Sequence, residues 1–164
     1  MRFELGQRFE AGWEAVTGAY ADPQLYTTLV GLPKLGDIEV LDHDVHSSTV
    51  RLRARFAFTG DLPSAVTAVV DPARLTWVQE SDHDLDTGIT TFRLVPDHYA
   101  DRLQALGTFK IAATPGGKGS TRTVDGGLKV RAPLVAGRVE QAIVSGLDEY
   151  LQAEAPAVDA YLGC

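Results

Sequence analysis

The C-terminal stretch, residues 132–162, constrains the fold most, because it predicts one long amphipathic helix. Apolar residues recur on one side of this helix at Val135, Val139, Ile143, Leu147, Tyr150 and Tyr161. The opposite side carries Arg138, Gln141, Ser145, Asp148, Gln152 and Asp159. Pro133 suits the first helical turn, whereas Pro156 predicts a kink or a short break. Glu154 is the one charge near the middle of the apolar stripe and is expected at the rim, where the helix leaves its support.

The rest of the chain predicts an antiparallel sheet for this helix to cover. Alternating residues at positions 1–10 indicate a half-buried strand, in which Phe3, Leu5, Gln7 and Phe9 point inward. Two short helices follow, one over residues 12–20 and one opening at Asp22-Pro23, and a third is expected over residues 64–70. Three hairpins are predicted, pairing residues 38–45 with 49–58, 75–81 with 88–95, and 103–113 with 120–130.

Each hairpin also suggests a strand register. In the first hairpin, opposite charges meet on one face and apolar groups on the other, which fixes a register. The predicted pairs there are Asp44 with Arg51, Asp42 with Arg53, Val45 with Val50, His43 with Leu52, and Leu41 with Ala54. The alternation changes phase nearer Ile38, so a bulge is expected near Val40. The predicted pairs of the second and third hairpins are Trp77 with Phe92, Leu75 with Leu94, Phe109 with Gly126, Ile111 with Val124, and Lys110 with Asp125.

Composition and charge narrow the class of protein. The 164 residues suit a single domain, residues 1–164, with one core. A net charge of −7 and a pI near 5.0 argue against a nucleic-acid or anionic-membrane binder. No apolar run predicts a membrane span, and residues 1–10 do not resemble a signal peptide. The only cysteine is Cys164, so no internal disulfide is expected, and the cytoplasm is the predicted location.

Two segments carry a resemblance to a known superfamily: residues 133–140, which open the last helix, and Asp61-Leu62-Pro63. With the order of elements above, the chain resembles START-like proteins (SRPBCC), which include polyketide cyclases and lipid-transfer proteins. Within that superfamily it is most similar to an uncharacterised bacterial family. The resemblance implies an α+β helix-grip fold: a seven-stranded curved antiparallel sheet wrapped on the C-terminal helix, with two short helices after the first strand. It also implies a cavity between sheet and helix.

Motifs with specific chemistry are weak. Residues 82–88 only faintly resemble a calcium loop and are interpreted as a hairpin tip. Residues 42–46 alternate faces, which separates His43 from Asp42 and Asp44, so we expect no metal site. The arginines at 51, 53 and 55 predict a solvated sheet face. No catalytic motif, cofactor motif or phosphate-binding loop is found. His43 is expected to point inward beside Leu52 as a partly buried histidine.

The inner face of the sheet is the candidate binding site, because aromatic side chains project from it beside small residues. The predicted ligand-binding residues are His43, Leu52, Ala54, Phe56, Phe58, Trp77, Phe92, Leu94, Phe109, Ile111, Leu128, Val139, Ile143, Gly146, Leu147 and Tyr150. His43, Gln7, Tyr99 and Glu154 are the candidate polar groups. The sequence predicts binding of a hydrophobic small molecule. Two alternatives remain: a cyclase or dehydratase using His43 or Tyr99 as acid/base, and an interaction module with a filled core.

Overall fold

A computed structural model describes residues 1–164. Twelve elements follow one another along the chain. The strands are β1 Arg2–Phe9, β2 Glu39–His46, β3 Thr49–Ala57, β4 Thr76–Asp84, β5 Ile89–Pro96, β6 Leu103–Ala113 and β7 Ser120–Val130. The helices are α1 Trp13–Tyr20, α2 Pro23–Thr28, α3 Ser64–Thr67 and α4 Ala136–Tyr161, with a 3₁₀ turn at Pro72–Arg74.

The seven strands form one antiparallel sheet in the order β1-β7-β6-β5-β4-β3-β2. The predicted fold is therefore confirmed, including both short helices after β1 and the long terminal helix. Asp22 caps α2 as predicted, since its carboxylate accepts a hydrogen bond from the Gln24 amide at 2.9 Å. The N-terminal strand alternates as expected, with Gln7 and Phe9 buried between exposed neighbours.

The first hairpin confirms its predicted register over most of its length. His43 lies opposite Leu52, Asp44 opposite Arg51 and Asp42 opposite Arg53. The expected bulge falls between Val40 and Asp42, so Val40 faces Ala54, and the predicted pairing of Leu41 with Ala54 is wrong.

The registers of the other two hairpins differ from prediction. Phe92 faces Ser81, and Leu94 faces Gln79, because β4 continues beyond its predicted end at Ser81 to Asp84. In the last hairpin Phe109 faces Val124, Ile111 faces Arg122 and Lys110 faces Thr123. Both corrections shift the pairing by an even number of residues, so every side chain keeps its predicted face of the sheet.

Helix α4 begins at Ala136, later than predicted. Residues 132–135 form a turn in which the Ala136 amide donates to the Ala132 carbonyl, and Leu134 has a φ of 68°. No break occurs at Pro156, contrary to expectation. Pro156 and Gln152 both lie on the exposed side of the helix, where water can hydrate the Gln152 carbonyl that proline leaves without an N–H partner.

Helix α4 packs mainly on β1 and β7, with further contacts to α1 and α2. The core between these elements includes Val16, Leu25, Phe109 and Val158, each at most 2% exposed. The inner face of β3 to β5 lies beside this covered region, and its side chains are less completely buried towards Trp77 and Leu94. None of the helices is both long enough and apolar enough to cross a membrane.

Candidate functional site

A buried charged cluster joins the second half of α4 to the sheet. The Glu154 carboxylate, 4% exposed, accepts four hydrogen bonds. Its Oε2 accepts from Tyr20 Oη at 2.7 Å, Gln7 Nε2 at 3.0 Å and Arg122 Nη1 at 3.1 Å. Its Oε1 accepts from Tyr150 Oη at 3.1 Å. Glu154 is therefore not the rim residue that the sequence predicted, because an arginine from β7 compensates its buried charge.

Local pairing brings this cluster together. Gln7 on β1 lies directly opposite Arg122 on β7, and Tyr150 precedes Glu154 by one turn of α4. Burial and the Glu154 carboxylate raise the pKa of Tyr20 well above its usual value. The same two causes raise the pKa of Tyr150. Both phenols therefore stay protonated and act as donors to the carboxylate.

The Arg122 guanidinium lies against two aromatic rings. Its central carbon is 3.9 Å from the centre of the Phe109 ring and 4.2 Å from that of Tyr20. Contacts this close over ring faces are favourable cation–π interactions, and more so where water is excluded. Arg122 was not predicted, although it alternates in phase with the inward residues Val124 and Leu128. That phase was the signal available in the sequence.

A second buried polar group lies on β4, in the segment interpreted from sequence as a hairpin tip. His83 is 1% exposed, and its Nε2 is 3.0 Å from Ser81 Oγ while its Nδ1 is 2.9 Å from Thr90 Oγ1. Ser81 Oγ donates to the Leu52 carbonyl, so it accepts from His83 Nε2–H, and Thr90 donates to Nδ1. Burial, with Arg122 nearby, lowers the pKa of His83 to about 4.

Asp159 is also buried, although the sequence placed it on the solvated side of the helix. Its carboxylate accepts the backbone N–H groups of Glu10 at 3.0 Å and Ala11 at 3.1 Å. These contacts fasten the C-terminal end of α4 to the end of β1.

The predicted ligand-binding residues divide into three groups by exposure. Those that are buried are Leu52, Ala54, Phe56, Phe109, Ile111, Leu128, Val139 and Tyr150. Those that remain partly exposed are Phe58, Trp77, Phe92, Leu94, Ile143, Gly146 and Leu147. His43 alone is exposed, because β2 is the edge strand of the sheet, so the expectation of a partly buried histidine there is wrong.

Tyr99 lies in the connection between β5 and β6 rather than among the inner-face residues. Its hydroxyl accepts the Asp71 amide at 3.1 Å, and the guanidinium carbons of Arg74 and Arg102 lie 5.7 and 5.8 Å from its ring centre. These contacts give Tyr99 a role in holding loops together at that end of the sheet.

The aromatic side chains of the inner face form two connected pairs. The rings of Phe56 and Trp77 stack with centres 5.9 Å apart. Phe92 and Phe109 lie 6.4 Å apart, which links the partly exposed face to the buried cluster around Arg122. Two small residues that suggested a void are covered: the Phe3 ring fills the space over Gly126, and Phe92 lies over Gly107.

Two open grooves lie outside this region. One, of about 1020 Å³, is polar and runs between the end of β1, the loop 117–119 and the end of α4. The other, of about 360 Å³, includes Met1, Leu106 and Lys129. Neither lies between the inner face of the sheet and α4.

Solved structures place this architecture in the helix-grip class of START-like proteins. The chain is similar to the Zhui aromatase/cyclase from Streptomyces sp. R1128, with 16% identity, a TM-score of 0.67, and coverage of 99% of this chain and 93% of that one. Norcoclaurine synthase from Thalictrum flavum gives 14% identity, a TM-score of 0.65, and coverage of 99% and 86%. Protein TTHA0849 from Thermus thermophilus gives 14%, 0.68, and coverage of 98% and 95%.

Within that class the chain belongs to the family described as "Protein of unknown function (DUF2505)", whose profile matches residues 4–162. A comparison with curated proteins finds no match.

Proposed function

We propose that this protein binds a hydrophobic small molecule, such as a lipid or a polyketide-like compound. The proposed site lies between the inner face of β3 to β5 and the first half of α4. One observation carries the proposal: Trp77, Phe92 and Leu94 point to the concave side of the sheet, yet they remain partly exposed. Large apolar groups on a concave surface gain most from a guest that removes them from water.

The packing of α4 supports this location. The helix covers β1 and β7, and its buried residues before Tyr150 are limited to Val139. Ile143 and Leu147, one turn apart, are partly exposed on the side of α4 that carries Val139. An apolar guest held between these residues and Trp77 would gain roughly 25 cal/mol for each Å² of apolar surface buried.

The fold is compatible with such a role. Two proteins of similar fold are named as an aromatase/cyclase and a synthase, which places small organic molecules among the partners of this class. Identities of 14 and 16% do not transfer either reaction. The proposal is therefore limited to binding.

The two tryptophans provide a direct test. Trp77 lies in the proposed site, whereas Trp13 lies in α1, near the Gly88 turn at the other end of β4. A Trp13→Phe variant leaves Trp77 as the only reporter, and a Trp77→Phe variant leaves Trp13. We expect a brominated fatty acid to quench Trp77 fluorescence saturably and to leave Trp13 fluorescence nearly unchanged. Equal quenching of both, or none, would overturn the proposal and favour the filled-core interaction module.

A matched pair of leucines controls for nonspecific adsorption. Leu94 points to the inner face, whereas Leu106, on the neighbouring strand β6, is 64% exposed on the outer face. Leu94→Lys places a charge in the proposed site and should abolish quenching. Leu106→Lys should leave it unchanged, since that side chain lies on the opposite surface of the sheet.

A further inference from the structure

Arg122 uses only part of its hydrogen-bonding capacity. Its Nη1 donates to Gln7 Oε1 at 2.9 Å and to Glu154 Oε2 at 3.1 Å. Its Nε is fully buried with no partner, and Nη2 forms no hydrogen bond within the chain. The residue as a whole is 7% exposed. A buried donor without an acceptor is costly, so this edge of the guanidinium is a place where an acceptor would stabilise the protein.

The position of Arg122 connects it to the proposed binding surface. Its guanidinium lies 3.9 Å from the centre of the Phe109 ring, and Phe109 packs against Phe92, which is partly exposed. A guest that enters along Phe92 and Leu94 therefore meets Arg122 at the buried end of the inner face.

The geometry of arginine defines what fits there. The Nε–H and Nη2–H bonds lie along one edge of the planar guanidinium and form a fork that two lone pairs of one acceptor group can occupy. Both a carboxylate and a neutral carbonyl oxygen have such lone pairs.

Charge distinguishes these two guests. Glu154 already neutralises Arg122 within a site that excludes water, and two phenols and an amide complete the coordination of that carboxylate. A second carboxylate would leave a net negative charge in this dry environment, which is unfavourable. A neutral carbonyl oxygen adds an acceptor without adding charge.

We propose that the free edge of Arg122 binds the carbonyl oxygen of an apolar ketone, ester or amide whose chain extends over Phe92 towards Trp77. This inference rests on the proposed function, and it adds the polar group and its position within the ligand. It makes Arg122 a specificity-determining residue.

Two ketone isomers test the anchor without changing overall hydrophobicity. Methyl octyl ketone carries its carbonyl near one end of the chain, and butyl pentyl ketone carries it near the middle. Each would be titrated by displacement of the brominated fatty acid from the Trp13→Phe protein. We expect the methyl ketone to bind about tenfold more tightly or better, as a hydrogen bond to a charged donor implies. Decanoate serves as the anionic comparison and should bind more weakly than the methyl ketone.

Two arginine variants locate the effect. Arg122→Lys keeps the charge opposite Glu154 and removes the fork, so the preference between the isomers should disappear. Arg53→Lys is the matched control, because Arg53 Nε also lacks a hydrogen-bond partner but lies beside Glu80 on the solvated face. That variant should keep the full preference.

Each outcome has a separate meaning. Equal binding of both isomers to the unmodified site, with quenching intact, overturns the anchor and leaves apolar binding in place. Tighter binding of decanoate overturns the neutral-carbonyl assignment. No binding of any probe overturns the proposed function itself. If Arg122→Lys fails to fold, the arginine Nε–H resonance of the unsubstituted protein replaces it: this resonance should shift with methyl octyl ketone and not with butyl pentyl ketone, and a shift with neither overturns the anchor.

Discussion

The two halves of α4 cover different kinds of surface. Six of the seven buried residues of the helix lie from Tyr150 onward, and Val139 is the only one before it. The second half contacts a charged cluster whose members are all hydrogen-bonded to Glu154, and its end is held to β1 through Asp159. The first half lies beside apolar side chains that water still reaches.

This difference separates stability from binding. The region around Glu154 has little space and a directional set of hydrogen bonds, which favours one packing arrangement. The region around Trp77 and Leu94 has few polar groups and incomplete burial, so it can accept a guest without losing a hydrogen bond. If this is correct, substitutions in the two regions should affect different measurements.

The largest expected effect is on Glu154. Its replacement by alanine leaves Arg122 buried without a counter-charge, which typically costs about 3–5 kcal/mol of unfolding free energy. Glu149→Ala is the matched control on the same helix: Glu149 pairs with Lys34 at 3.3 Å but its side chain is 56% exposed, so about 1 kcal/mol or less is expected. Urea denaturation measures both. Similar losses in the two variants would show that the cluster contributes no more than a surface ion pair.

Acid should destabilise the closed region next, through His83. Its pKa is about 4 in the folded protein and about 6.5 when unfolded, so the unfolded chain takes up the proton first as the pH falls. The stability is fully present above pH 6.5 and declines towards pH 4, by about 3 kcal/mol in total. Unfolding free energies measured across this range should fall less steeply in a His83→Gln variant, which keeps hydrogen-bonding groups but does not titrate. Parallel curves would rule out His83 as the cause.

Asp159 should give a smaller effect. Its carboxylate satisfies the N–H groups of Glu10 and Ala11 at the junction of β1 and α4, so Asp159→Ala should cost about 1–3 kcal/mol. Asp125→Ala is the comparison, since Asp125 is 51% exposed and pairs only with Arg2 on the outer face. Thermal unfolding would order the two variants, and an equal shift would contradict the anchoring role of Asp159.

The sequence predicted the fold for a reason that also limited the site. Alternation assigns each strand residue to a face, and the 3.6-residue period does the same for α4, so Trp77, Phe92 and Phe109 could be placed inside. A shift of register by two or four residues leaves that alternation unchanged, which is why the partners of Phe92 and Phe109 were wrong. Only the first hairpin has opposed charges that fix one register.

The buried charged cluster was missed because its parts were judged separately. Glu154 in an apolar stripe was interpreted as a rim residue, and Arg122 in an inward phase of β7 was not considered. Each is improbable alone, since isolated charges are rarely buried, and the two are compatible only as a pair. Their separation in the sequence hides that pairing until β7 is placed next to β1.

His43 should give the smallest effect and completes the comparison of the two regions. It occupies the inner face of the edge strand β2, but it is exposed, whereas His83 on β4 is buried between Ser81 and Thr90. His43→Ala should therefore change the unfolding free energy by no more than about 0.5 kcal/mol and leave probe binding intact. His83→Ala, measured alongside, should be clearly more destabilising because it leaves a cavity and two hydroxyl groups without their ring partner. A loss of probe binding in His43→Ala at unchanged stability would instead extend the binding surface to the edge strand, and would return His43 to the polar role that the sequence suggested.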